Sequence, residues 1–168
     1  SGTLDIQAGR LNLNNGGQQS GAIRTSAGAT LNFAGGTHAI ADASLVDADG
    51  LFLVSGGTVD LGGALAVGGT LELAGGTVNA TGNVQAASYT QSGGTLSGSG
   101  DLTVSNALLW SGGTMSGAGS TIAAGTLTID GVSPFSQVSL DGGRVLENRG
   151  TGVWVDGQIM LNGGSIAG

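Results

Sequence analysis

The chain has 168 residues with 36 Gly, 1 Pro and no Cys, and only 9% of it is charged. Its 11 acids against 4 Arg, with no Lys, leave a net charge of -7, which argues against a nucleic-acid reader built on a basic stripe and against charge-driven docking on anionic membranes. The missing Cys excludes disulfide staples and thiolate metal sites; the 39% hydrophobic content is too high for a disordered linker, and the Gly lacks the triplet rule of collagen.

In chain order, residues 1–34 read as two less regular coils. Thr3 to Ile6 and Arg10 to Leu13 alternate apolar with polar, the pattern of half-buried strands. Asn14-Asn15-Gly16-Gly17 is a turn cluster, Ala22 to Arg24 and Ala29 to Phe33 follow as strands, and Ala27-Gly28 is the corner between them. Residues 35–55 form the next coil, with Asp42, Asp47 and Asp49 in its middle and the apolar strand Leu51 to Val54 after it. The most regular part is 56–130. There Thr58 to Leu61, Ala64 to Val67 and Thr70 to Leu73 read as three strands of one coil, with Gly62-Gly63 and Gly68-Gly69 at the corners. Span 131–150 breaks the rhythm with Pro134, Phe135, Arg144 and Arg149, and reads as an irregular coil with a protruding loop. The pattern returns in Gly152 to Val155 and Gln158 to Leu161.

A unit of this kind repeats. Gly-Gly-Thr opens at Gly35, Gly56, Gly75, Gly93 and Gly112, preceded by Gly16-Gly17-Gln18 and followed by Gly163-Gly164-Ser165; from Gly16 to Gly112 the starts lie 18–21 residues apart. Strand periodicity inside a repeat of about 20 residues is the signature of a solenoid. The expected fold is all-β, a single parallel β-helix over 1–168 with about three short strands per coil and about eight coils. Aligned, the repeats place Thr37, Thr58, Thr77, Thr95 and Thr114 in one column. His38, Val59, Val78, Leu96 and Met115 form a second, and Ile40, Leu61, Ala80, Gly98 and Gly117 a third. Alternation along a strand sends the second and third columns inward and the Thr column outward. The shrinkage from Leu61 to Gly98 suggests a narrowing cross-section.

The stretches Ala29 to His38, Ser92 to Gly100 and Leu109 to Gly117 resemble repeats of very large bacterial surface proteins, the filamentous-haemagglutinin-like and autotransporter-like adhesins. The resemblance covers roughly 22–164. It implies a parallel β-helix exported to the cell surface or beyond, working as a rod against a receptor or glycan on a host or neighbouring cell. Two hallmarks of such proteins do not occur: the Asn-Pro motifs of the secretion domain, and a carboxy-terminal membrane barrel. The chain therefore resembles the rod alone and is expected to be one piece of a longer polypeptide. No apolar run has the length of a membrane-spanning helix, so no insertion of this segment is expected.

Individual residues invite sharper readings. Asp42, Asp47 and Asp49 are the metal candidates, because Ca²⁺ takes several oxygen ligands. Their spacing fits neither an EF-hand nor a Gly-Gly-x-Gly-x-Asp repeat, so a solvated loop is preferred and no metal or cofactor is assigned. The same acids are candidates for a glycosidase pair, but the chain has one His and no Lys, and the acids do not share a ladder position. His38 falls in an inward column and reads as a buried His with one backbone partner. Trp110 and Trp154 are candidates for stacking on a glycan, with Trp110 preferred as a plug between coils. Arg144 and Arg149 are candidates for a binding loop. The Thr column invites an ice-binding reading, weakened because only one Thr recurs per coil. The expectation is a non-catalytic structural and adhesive rod. The alternatives are a subunit stacking end to end into filaments through its uncapped strand edges and a carbohydrate-active enzyme fragment.

Overall fold

The computed structural model describes residues 2–41, 46–131, 133 and 135–168. Among these every regular element is a strand, and no helix is long and apolar enough to cross a membrane. The chain winds into a three-faced solenoid of about eight coils, as its repeats predict. On the first face Thr3–Ile6, Ala22–Thr25 and Val46–Ala48 stack in parallel, and the ladder runs on to Ser120–Ala123, Val145–Asn148 and Ser165–Ala167. On the second face Arg10–Leu13, Thr30–Phe33 and Leu51–Val54 lead on to Thr126–Asp130 and Thr151–Asp156. The third face is an eight-stranded sheet from Gly17–Gln19 to Gln158–Asn162, in which each strand pairs with the strand one coil away.

Why these residues stack is visible on the third face. Thr58–Leu61 and Thr77–Ala80 alternate half-buried with buried. Thr58 pairs with Thr77, Val59 with Val78 and Leu61 with Ala80. Like residues thus meet across the ladder at about 4.8 Å spacing, so each inward side chain is covered by the one above it and below it. The inward columns join into one core that includes Leu31, Phe33, Phe52, Leu73, Leu96, Val104 and Leu140, all nearly or fully inaccessible. The outward columns are small and polar, and neighbouring members hydrogen-bond across coils. The Asn32 amide donates to Asn12 Oδ1 at 2.9 Å, and Asn79 donates to Asp60 Oδ1 at 3.1 Å.

The Gly-Gly-Thr repeat has a backbone cause. Its second glycine has φ between +65° and +80° at Gly36, Gly57, Gly76, Gly94 and Gly113, a region that side chains make costly. A Cβ there would also run into backbone of the preceding coil. The corner before Thr58, Thr77, Thr95 and Thr114 is therefore closed to anything but glycine.

Four features differ from expectation. The first and second faces of the central coils are not separate strands: Leu65–Leu73, Val84–Gln91 and Leu102–Trp110 each run through both. Gly68-Gly69 is a register shift between Val67 and Thr70 inside a continuous strand, not a turn. Val46–Ala48 is a strand in what reads as an acidic loop. The irregular span is shorter than 131–150, because Gln137–Asp141 and Val145–Asn148 are full members of the third and first ladders. Of the residues before Gln137, Val132 and Pro134 lie outside the described ones, and Gly131, Ser133, Phe135 and Ser136 belong to no strand. Gly131 N–H donates to Asp156 O at 3.0 Å and Gln158 N–H donates to Ser136 O at 2.8 Å, tying this segment to the next coil.

Candidate functional site

Of the acidic candidates, Asp42 lies outside the described residues. Asp47 is exposed on the outer side of the first face, in register with Arg24 on one side and Ala66 on the other. Asp49 is exposed at the corner that follows. The two do not close on a third ligand: among the described residues no three of His, Asp and Glu are grouped to hold a metal ion.

Asp49 instead belongs to a groove that the sequence reading missed. Where the first face bends into the second, the outer surface is concave. One depression of about 410 Å³ is lined by Gly28, Thr30, Asp49, Gly69, Thr70 and Glu72. Farther along the same bend a second, of about 260 Å³, is lined by Ala66, Gly68, Gln85, Ala87, Thr103 and Ser105. Glycine and alanine at the stacked bend leave the hollow, and a Cβ on Gly68 would meet the Asp49 side chain. The groove offers two carboxylates, which can only accept hydrogen bonds, among hydroxyls that can do either. Asp49 and Glu72 lie in different ladder columns and 23 residues apart in sequence, so only the winding brings them to one hollow.

The loop candidates separate. Arg149 is exposed and forked onto Glu147, with Nε to Oε1 at 2.8 Å and Nη2 to Oε2 at 3.0 Å. The hydrogen bond from Arg149 holds the Glu147 carboxyl below the usual carboxylate range, and the same bond raises Arg149. Any stabilisation from Glu147 is present above the carboxyl's unfolded value and fades as pH falls through the lower folded one. In water such a pair is worth little. Arg144 is fully buried, not part of a binding loop. Its Nε donates to Ser116 O at 3.0 Å and its Nη2 to Gly100 O at 3.3 Å. Burial lowers its proton affinity, while nearby Tyr89 and Asp101 act the other way.

The aromatic candidates separate too. Trp110 is fully buried in the second-face column between Gln91 and Ile129, and its Nε1 has no hydrogen-bond partner. It presents no face to a glycan. Trp154 is exposed, with Nε1 donating to Asp156 O at 3.1 Å. His38 is buried against the edge of Phe33, ring centroids 5.0 Å apart. Its Nε2 lies 2.9 Å from Gly35 O; a carbonyl only accepts, so Nε2 carries the proton. Beside Trp110 sits a polar pair that the sequence reading passed over. Tyr89 donates its hydroxyl to Gln91 Oε1 at 2.9 Å, and Gln91 Nε2 donates to Thr114 O at 3.0 Å. Burial pushes the Tyr89 phenol far above its ordinary value. Both residues occupy inward positions of Val84–Gln91, where alternation alone would have flagged a buried polar residue.

Compared with family models, curated proteins and solved structures, the chain matches none of them.

Proposed function

We propose that this chain is a non-catalytic structural and adhesive rod segment of a secreted or surface-displayed bacterial protein. The supporting observation is the in-register repetition of outward columns along the axis, the Thr37, Thr58, Thr77, Thr95 and Thr114 column above all. At about 4.8 Å per coil, eight coils give a rod of roughly 40 Å whose sides repeat. Such a rod serves by length, stiffness and multiplied weak contacts. The partner is a receptor or glycan on another cell. The test is immunolabelling of intact source cells with antibody against the rod face, alongside binding of chain-coated beads to target cells. Labelling of intact cells with bead adhesion supports the reading. Labelling only after permeabilisation overturns it.

A carbohydrate-active reading rests on the Asp49 and Glu72 groove. Release of reducing ends from a polysaccharide panel, abolished in Glu72→Gln, would displace the non-catalytic reading; no release from any member keeps it.

A further inference from the structure

The third column of the third face, one of its two inward ones, shrinks from Ile40 and Leu61 through Ala80 to Gly98 and Gly117. Close packing leaves no room for an empty channel at that corner. The large side chain buried at this corner is Arg144. This residue follows the tight turn at Gly142 and Gly143, with φ of +63° and +87°, and its side chain runs back along the axis. The guanidinium bonds to Ser116 O one coil away and to Gly100 O two coils away. A Cβ on Gly119 would meet the Gly100 backbone first and would also sit 3.0 Å from Nη1, so backbone and guanidinium are packed tightly at this corner. Only a long side chain with several donors in a fixed fork spans that distance and serves two carbonyls.

In an ordinary solenoid each coil is bonded only to its neighbours, so coils open nearly one at a time. Arg144 breaks that rule by bonding past its neighbour. We propose that Arg144 is an axial latch that fastens three successive coils, so that residues 98–146 open and close as one cooperative unit. A latch of this kind resists fraying from the carboxy-terminal side, because the outer coil cannot leave without exposing a buried cation's former partners. The inference stands on these contacts and does not depend on the surface-rod reading.

Amide hydrogen exchange under native conditions tests it, in the unaltered protein and in Arg144→Ala, Arg144→Met and Arg144→Lys. The reporting amides are Gly100, Ser116, Gly119 and Val145, each hydrogen-bonded across a coil boundary. In the unaltered protein they should exchange at a common rate. In Arg144→Met, which keeps the bulk and loses the donors, Gly100 and Ser116 should exchange faster by about tenfold or more, with Thr77 unchanged. Arg144→Lys should fall between. If Arg144→Ala does not fold, Arg144→Met decides the matter. Faster exchange confined to 142–148, or an Arg144→Met pattern equal to the unaltered protein, overturns the latch.

Discussion

At the scale of single residues, this fold is governed by where a side chain is forbidden and where one is sealed in. Gly76 has φ +70°, and a Cβ on it would run into Gly57 O. Gly76→Ala should therefore cost about 1–3 kcal/mol from backbone conformation alone and more from the collision, read as a lower urea midpoint. Gly143 makes the control: its φ is +87° but a Cβ there meets nothing, so Gly143→Ala should cost the conformational part only. Trp110 is the opposite case. It is fully buried among Gln91, Ile129 and the core, and Trp110→Ala should destabilise by about 3–5 kcal/mol. The two tryptophans also report their own placement. Acrylamide should quench Trp154 emission readily and Trp110 emission weakly, so Trp154→Phe should leave a blue-shifted, poorly quenched spectrum. Strong quenching in that variant would contradict the burial of Trp110.

At the scale of the strand, alternation makes neighbours behave as opposites. Val78 is buried and Asn79 half-exposed on one four-residue strand. Val78→Asp leaves an unpaired charge among apolar residues and should disrupt the coil, a loss of several kcal/mol. Asn79→Lys loses a hydrogen bond to Asp60 but places a cation beside that carboxylate, and should change stability by less than about 1 kcal/mol. Equal effects would mean that the strand's faces are misassigned. This alternation is also what made the fold legible before the structure. Thr58 to Leu61 carries period two and a Gly-Gly-Thr start, and both the strand and its inward columns follow from them. Val46–Ala48 was not legible, because three residues amid aspartates carry too little period to separate a strand from a loop. The continuous bend of Leu65–Leu73 was hidden for a different reason: Gly68-Gly69 permits a turn and a register shift equally, and the neighbouring coil decides. Sites fared worse than strands. Nothing local marks Arg144 as buried; its partners are the carbonyls of Ser116 one coil back and Gly100 two coils back. The meeting of Asp49 with Glu72 is likewise a product of winding. Arg144 and Arg149 were read together as loop residues, yet one is buried and the other exposed, since composition of a loop says little about which way a long side chain turns; Trp110, read first as a plug between coils, is buried.

At the scale of the whole molecule, two terms compete over association. The chain carries a net charge of -7, and like charge keeps rods apart at neutral pH. In the 168-residue polypeptide Trp154, Leu161 and Ile166 are exposed, each continuing a column that is sealed farther down. Burying such a patch against a second copy is favourable by about 25 cal/mol per Å² before the costs of association. Carboxylates protonate as pH falls toward the isoelectric value that the composition sets, about 4.1, so the repulsive term fades while the apolar term is unchanged. Sedimentation velocity should accordingly show larger species at pH 4.5 than at pH 7, with added salt at pH 7 moving the distribution the same way by screening. The variant Leu161→Glu/Ile166→Glu separates ends from sides. It should stay dispersed at pH 7 in high salt, where the unaltered protein associates, because ionised glutamates at the patch must be desolvated on contact. Association of that variant equal to the unaltered protein would place the contact on the walls of the rod, where the Thr37 to Thr114 column and not the open coil would be the surface to alter next.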